Sequence, residues 1–179
     1  MIDEVLFDTF RHLGVNSCAS HLPVLYYLGT RVKVGSVFEF GCGVFSTQFF
    51  VDRIPEVESV EMQHQEWYDK IKLSHGQHNK FKISCMSGPE EAITYFASLS
   101  RRWDMVFVDG HGESRWKAVN EAFSKTDLIV AHDTEDPRYN WDRVGIPAYW
   151  HRLDFKQLPV WTTVFVKHGH SFYDEAIRS

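Results

Sequence analysis

Short, largely apolar runs alternate along the chain with segments whose apolar positions follow helical spacing, as at Trp116, Val119 and Phe123. Strands that alternate with helices predict right-handed βαβ units and a parallel sheet covered on both faces. The later runs are continuously apolar, as expected of strands that are buried on both sides. The predicted strands are VFEF (37–40), VESVEM (57–62), FKISCM (81–86), WDMVFVDG (103–110) and DLIVAHD (127–133).

The two ends of the chain depart from this alternation. Near the C-terminus, the β-like runs 155–158 and 161–167 are too close together for a crossover helix, so they should pair antiparallel. Before the first strand, residues 2–13 and 20–30 have helical spacing, and Ser20 is a candidate N-cap of the second helix. The predicted fold class is therefore α/β, a doubly wound, Rossmann-like, mostly parallel sheet with a C-terminal antiparallel hairpin, in a single domain over 1–179.

Composition and charge narrow the classes of function. The 179 residues are 44% hydrophobic and 24% charged, which is ordinary for a globular domain with a substantial core. The net charge of −5 argues against a basic surface for nucleic acid. The start MIDEVLFDTF is acidic and amphipathic, unlike a signal or transit peptide, and no apolar run approaches the length of a membrane span. We expect neither a nucleic-acid nor a membrane partner.

The three cysteines, Cys18, Cys42 and Cys85, are odd in number and lack C-x-x-C spacing. That pattern predicts neither a disulfide framework nor a zinc site, and it favours three small buried hydrophobic side chains. A reducing, cytoplasmic location fits this usage best.

The stretch VFEFGCGVFST (37–47) leaves a strand through Gly41 and Gly43 and enters a helix near Ser46. Glycines let the backbone approach a ligand closely, and the helix N-terminus offers free N–H groups. Ser46 stands where the dinucleotide fingerprint G-x-G-x-x-G has its third glycine, so that fingerprint is incomplete. The stretch indicates a cradle for a nucleotide-like cofactor, with a turn that binds nothing as the alternative.

An acidic residue at the end of the next strand supports the cradle. Glu61 follows Gly43 by eighteen residues, a spacing typical of the carboxylate that accepts hydrogen bonds from ribose hydroxyls in doubly wound folds. Glu58, on the same strand, is the competing candidate, but the position at the strand's end favours Glu61.

The pattern E-x-G-x-G of Glu39, Gly41 and Gly43, followed by Glu61, resembles the class I S-adenosylmethionine-dependent methyltransferases. The resemblance extends over residues 35–168, and that family's sheet also ends in an antiparallel hairpin. It implies S-adenosylmethionine as the cofactor, with the glycine loop under its methionine part and Glu61 on its ribose. Glu39 would lie near the amino-acid end of the cofactor.

The order of motifs is similar to that of the metal-dependent small-molecule O-methyltransferases of the catechol O-methyltransferase type. That resemblance implies that WDMVFVDG ends in a metal- or substrate-binding aspartate, Asp109, and that DLIVAHDT places His132 and Asp133 where the subgroup has two adjacent oxygen ligands. The implied cofactor beside S-adenosylmethionine is a divalent metal, Mg²⁺ or Mn²⁺. The run SCMSGPEEAI is similar to the adenine-contacting segment, which implies base contacts by Gly88, Pro89 and Glu90.

Strand topology gives the same positions an independent reason. Parallel strands end at one edge of the sheet, so Asp109, His132 and Asp133 should converge beside the glycine loop. A divalent ion held there would lower the pKa of a substrate hydroxyl and fix its oxygen.

Two positions depart from the subgroup. Where it usually has a lysine base after the aspartate, this chain reads Gly110, His111 and Gly112, so His111 is the candidate base. In addition, His132 replaces a carboxylate, so a softer metal, or none, is an alternative to Mg²⁺.

The sequence therefore predicts methyl transfer from S-adenosylmethionine to an oxygen of a small molecule, with Asp109 and His111 as catalytic residues. One alternative is a nicotinamide-dependent oxidoreductase, against which the missing third glycine and the closing hairpin both count. Another is a binding module that keeps the cofactor pocket without catalysis. The aromatic-rich segment 138–150 is predicted either to line the substrate pocket or to pack in the core. The sequence is compatible with both a monomer and a homo-oligomer.

Overall fold

The computed structural model describes residues 8–11 and 17–173. Its strands are β1 Ser36–Phe40, β2 Glu56–Glu61, β3 Phe81–Cys85, β4 Met105–Val108, β5 Leu128–His132, β6 Trp150–Phe155 and β7 Thr162–Lys167. They form one seven-stranded sheet in the order β3-β2-β1-β4-β5-β7-β6. The strands β1 to β5 are parallel, and β7 runs antiparallel to both of its neighbours. The predicted fold class is confirmed.

Helices connect the parallel strands on both faces of the sheet. They are α1 Leu22–Arg31, α2 Ser46–Arg53, α3 Gln65–His75, α4 Pro89–Ser98 and α5 Arg115–Ala122. Short 3-10 turns lie at Ser17–Ala19, Gly112–Ser114, Pro137–Tyr139 and Trp141–Arg143. Of the predicted helix 2–13, residues 8–11 are helical and the others lie outside the described residues.

The strand β4 shows why the later runs are continuously apolar. Met105 and Phe107 face the core layer under α1, α2 and α3, whereas Val106 and Val108 face the layer under α4 and α5. All four residues of β4 are buried, because helices cover both faces of a parallel sheet. Among the described residues, no helix combines the length and the hydrophobicity that crossing a membrane requires.

The first strand of the C-terminal hairpin was predicted wrongly. It spans Trp150–Phe155 rather than 155–158, and Trp150 pairs with Lys167 while Phe155 pairs with Thr162. The cause is its position at the edge of the sheet, where the middle of the strand alternates between intermediate and exposed side chains. Such a strand lacks the apolar run by which the buried strands were recognised.

Two further expectations are corrected. Ser20 does not cap α1, which begins at Leu22 after His21; the Ser20 hydroxyl instead donates to Ser17 O at 2.9 Å. Of the cysteines, only Cys42 is buried, while Cys18 and Cys85 are exposed. Cys85 ends an edge strand and Cys18 lies in a short turn, so neither is covered by the core.

Candidate functional site

The glycine loop after β1 packs directly on the backbone that follows β4. Gly41 has a φ of 81°, and a Cβ there would lie 2.5 Å from Gly110 Cα and 2.6 Å from Asp109 O. Only glycine combines this conformation with this lack of space. The loop is thereby fixed against the strand end that carries Asp109.

Glu39 supports the glycine loop from below. It is 0% exposed, and its Oε2 accepts hydrogen bonds from Thr47 Oγ1 at 2.7 Å and Ser59 Oγ at 2.5 Å. Thr47 Oγ1 in turn accepts a hydrogen bond from Gly43 N at 2.9 Å. Burial raises the pKa of the Glu39 carboxyl to about 7. The structure thus places Glu39 beneath the loop, outside the linings of the two cavities described next.

Glu61 lines a cavity of about 250 Å³, here called the Glu61 cavity, together with Gly41, Trp67 and Gly110. Its Oε1 accepts from the backbone of Gln63 at 2.9 Å, which fixes the carboxylate at the end of β2. The carboxylate therefore lies at the carboxyl end of β2, where the sequence predicted a ribose contact.

The competing candidate, Glu58, points away from the Glu61 cavity. It lies three residues before Glu61 on the strand and so faces the other side of the sheet. There it accepts a hydrogen bond from Tyr95 Oη, and this bond raises the pKa of Tyr95 to about 12.

The segment predicted to contact adenine follows β3 at the carboxyl edge of the sheet. Gly88 has an extended φ of 173° and precedes α4, which begins at Pro89. Glu90 forms an ion pair with Lys117 that links α4 to α5. None of Gly88, Pro89 and Glu90 is among the residues that line the Glu61 cavity.

A second cavity, of about 460 Å³, adjoins the first and is here called the His21 cavity. Asp109, Cys42 and Trp67 line both cavities, so Asp109 lies where the two meet. Both ring nitrogens of His21 are buried without a hydrogen-bond partner among the described residues. Burial, reinforced by the charge of His132, lowers the pKa of His21 to about 3, so its imidazole is neutral.

The structure brings together the three residues predicted at the ends of β4 and β5. His132 Nδ1 lies 3.2 Å from Asp109 Oδ1 and 3.6 Å from Asp133 Oδ1, and its Nε2 lies 2.7 Å from Ser20 Oγ. Burial alone would raise the pKa of Asp109, but His132 and Arg115 outweigh it and lower the pKa to about 2. Burial would lower the pKa of His132, but Asp109 and Asp133 outweigh it and raise that pKa.

Sequence reasoning missed Arg115, whose guanidinium lies between Asp109 and Asp133. Its Nη2 is 2.9 Å from Asp109 Oδ1, and its Nη1 is 2.6 Å from Asp133 Oδ2. A signal existed, because Arg115 is the first residue of α5 and the helix dipole disfavours a cation there. His21, by contrast, carries no sequence signal that sets it apart from a core histidine.

His111 and the aromatic segment lie elsewhere. His111 lines a small space beside Met62 and Ser114 rather than the His21 cavity. Tyr139 stacks on the guanidinium of Arg115 at 4.5 Å, and Trp141 is buried and donates to Asp133 O at 3.0 Å. These two aromatic residues therefore pack against Arg115 and Asp133 and do not line the His21 cavity. This favours the prediction that this part of 138–150 packs in the core over the prediction that it lines the substrate pocket.

The predicted metal ligands do not fit an oxygen-preferring ion. The Asp133 carboxylate is held by Arg115, and the described residues whose ligand atoms lie within 4.8 Å of one another are His21, Asp109 and His132. That set has two nitrogens and one carboxylate, whereas Mg²⁺ prefers oxygen ligands. The set also shares the Asp109 carboxylate with Arg115.

No protein-family model matches this sequence, and no curated protein matches it. Solved structures do match. The Methanococcus jannaschii fibrillarin pre-rRNA processing protein is 10% identical with a TM-score of 0.63, covering 86% of this chain and 77% of its own. The O-methyltransferase from Bacillus cereus in complex with S-adenosylhomocysteine is 10% identical with a TM-score of 0.61, covering 92% and 90%. The Podospora anserina methyltransferase bound to S-adenosylhomocysteine is 13% identical with a TM-score of 0.60, covering 80% and 75%.

The chain therefore has the fold of the class I S-adenosylmethionine-dependent methyltransferases. The resemblance predicted from the glycine loop and Glu61 is confirmed at the level of the fold.

Proposed function

We propose that this chain is an S-adenosylmethionine-dependent methyltransferase that acts on an oxygen of a small molecule. The observation that carries the proposal is the meeting of two cavities at Asp109. The Glu61 cavity combines a carboxylate at the end of β2 with a glycine loop, the pair that a cofactor site in a doubly wound fold requires. The His21 cavity is large enough for a small acceptor and opens on the other side of the same aspartate.

The solved structures support S-adenosylmethionine as the cofactor, but they do not agree on the class of methyl acceptor. Several similar proteins are methyltransferases with S-adenosylhomocysteine bound, and the Bacillus cereus protein is an O-methyltransferase. Others are the fibrillarin pre-rRNA processing protein and an rRNA methylase from Streptococcus thermophilus. The net charge of −5 favours a small acceptor over RNA here, because RNA binding needs a basic surface.

The residues have defined tasks in this proposal. Bound S-adenosylmethionine would supply an already activated methyl group, so the chain has to position two reactants and exclude water. Glu61 accepts hydrogen bonds from the ribose hydroxyls, and Gly41 allows the close approach of the loop. In the His21 cavity, the neutral imidazole of His21 accepts a hydrogen bond from the acceptor hydroxyl. The hydroxyl proton would pass along this hydrogen bond to the His21 imidazole, while the sulfonium of bound S-adenosylmethionine would supply the methyl group.

Calorimetric titration with S-adenosylhomocysteine and, separately, with NADH tests the cofactor. We expect the wild type to bind S-adenosylhomocysteine and not NADH. Glu61→Gln should weaken S-adenosylhomocysteine binding about 10- to 100-fold, because hydrogen bonds to a charged group contribute about 1.5–3 kcal/mol. Glutamine keeps the oxygen that accepts from Gln63 N, so the local fold is retained.

Glu58→Gln is the matched control, because this residue lies on the same strand but contacts Tyr95 on the far side of the sheet. An equal loss of affinity in both variants would assign the Glu61 effect to the strand rather than to the ribose. Binding of NADH alone would contradict the proposal and favour the oxidoreductase alternative.

The acceptor class is tested with methyl-labelled S-adenosylmethionine. We expect label transfer to members of a panel of small hydroxyl compounds and none to total RNA. The reverse result would contradict the small-molecule assignment while leaving the methyltransferase assignment standing. Binding of S-adenosylhomocysteine without transfer to either pool would instead favour a binding module without catalysis.

A further inference from the structure

We infer that the guanidinium of Arg115 is the resident cation of the acceptor site and takes the place of a divalent metal. The inference rests on the proposed function for what the site accepts. Its experiment measures metal binding, so the two can fail separately.

The contacts of Arg115 fix its guanidinium in one position. The side chain is 7% exposed and bridges the carboxylates of Asp109 and Asp133. Its Nη1 also donates to His132 O at 2.8 Å, and its Nε donates to Gly110 O at 2.9 Å. Three of the five N–H groups of the guanidinium therefore donate hydrogen bonds to protein oxygens, and Nη2 adds an ion-pair contact with Asp109.

These contacts place the positive charge where the sequence predicted a metal. Asp109 and Asp133 end neighbouring strands, and a divalent ion between them would need the oxygen atoms that Arg115 now contacts. An arginine side chain does not lose its proton in proteins, so this charge is permanent. A divalent ion on Asp109 would therefore have to bind against a fixed like charge or displace a buried, fully oriented side chain.

The surroundings favour retention of Arg115. Tyr139 covers one face of the guanidinium at 4.5 Å, and Gly112 allows this approach because a Cβ there would lie 2.3 Å from Tyr139 Cε1. The N-terminus of α5 disfavours a cation, but two carboxylates within hydrogen-bond distance offset this.

This arrangement has a consequence for the acceptor. Arg115 lines the His21 cavity, and its Nη2 contacts Asp109 Oδ1 as an ion pair. A ligand in this cavity therefore meets a fixed positive charge rather than an open coordination position of a metal.

The experiment titrates Mn²⁺ by electron paramagnetic resonance and Co²⁺ by visible absorbance into the full chain. The variants are Arg115→Ala, Arg115→Ala combined with Asp109→Asn, and His21→Ala. The matched control is Arg138→Ala, which removes an exposed arginine that pairs with Asp136. Folding is followed by circular dichroism, and S-adenosylhomocysteine binding is measured on the same samples.

We expect no site-specific binding of either metal to the wild type or to Arg138→Ala at millimolar concentrations. Arg115→Ala should gain a Mn²⁺ site between the two carboxylates, and the double variant should lose it. Binding of Mn²⁺ to the wild type that depends on Asp109, or of Co²⁺ that depends on His21, would overturn the inference. So would a folded Arg115→Ala protein that binds no Mn²⁺.

If Arg115→Ala does not fold, Arg115→Lys keeps a cation at the same position. The wild type and Arg115→Lys are then compared. Metal binding at Asp109 in either protein would overturn the inference, and absence of metal binding in both would support it. Failure of the wild type to bind S-adenosylhomocysteine would count against the proposed function and not against the resident cation.

Discussion

Gly41→Ala is expected to lower the free energy of unfolding by more than about 4 kcal/mol and to abolish S-adenosylhomocysteine binding. A left-handed backbone conformation alone costs an alanine about 1–2 kcal/mol. In addition, the new Cβ would lie 2.5 Å from Gly110 Cα and 2.7 Å from Gly110 N. Backbone atoms at the end of a buried strand cannot move aside as a flexible side chain can, so the loop must separate from β4. Urea unfolding monitored by circular dichroism measures the effect.

Two other glycines separate the cost of the backbone conformation from the cost of the close contact. Gly169 has a φ of 85°, and a Cβ added there would have no atom of the described residues within 4 Å, so Gly169→Ala should show only the conformational cost of about 1–2 kcal/mol. Gly88 is extended and equally open, so Gly88→Ala should change stability by less than about 0.5 kcal/mol. If Gly41→Ala costs no more than Gly169→Ala, the close approach of the glycine loop to β4 is wrong.

The sheet could be predicted because its strands carry local signals. A strand such as β4, buried on both faces, must be continuously apolar, and this is visible in four consecutive residues. The edge strand β6 pairs on one side only and includes the polar residues Arg152 and Asp154, so no local pattern marks its bounds. Its antiparallel direction was still predictable, because the connection to β7 is too short for a crossover.

The residues of the candidate site also differ in whether a local sequence signal predicts their position. Asp109, His132 and Asp133 lie at the ends of strands, and parallel strands end at one edge, so their convergence follows from topology alone. Arg115 and His21 reach the same point from the start of a helix and from the N-terminal turn. The contact of Ser20 with His132 joins residues 112 positions apart, and nothing in either local sequence specifies it. The sequence therefore predicted at which edge of the sheet the site lies. It did not predict that Arg115 lies between the carboxylates of Asp109 and Asp133 at that edge.

The buried carboxyl of Glu39 predicts a pH dependence of stability that Glu39→Gln should remove. Burial raises its pKa from 4.5 to about 7, so between these two pH values the folded chain binds a proton that the unfolded chain has lost. The free energy of unfolding contributed by this group therefore falls as the pH rises from 4.5 to 7, and it is constant above that range. A pKa change of this size corresponds to about 3 kcal/mol.

Glutamine has the shape of the protonated acid and keeps one oxygen to accept from Thr47 and Ser59. We expect Glu39→Gln and the wild type to have similar stability near pH 5, and the variant to be more stable by up to about 3 kcal/mol near pH 8. Urea unfolding of both proteins across this range is the measurement, with Glu58→Gln on the neighbouring strand β2 as the control for loss of a buried carboxylate.

Parallel curves for Glu39→Gln and the wild type would mean that Glu39 is ionised in the folded state. Its Oε1, which has no hydrogen-bond partner among the described residues, would then carry an unpaired charge beneath the glycine loop. Such a charge would favour a cationic group of a ligand bound above the loop, so a second pH profile with S-adenosylhomocysteine present tests whether Glu39 acts on the cofactor or only on the loop.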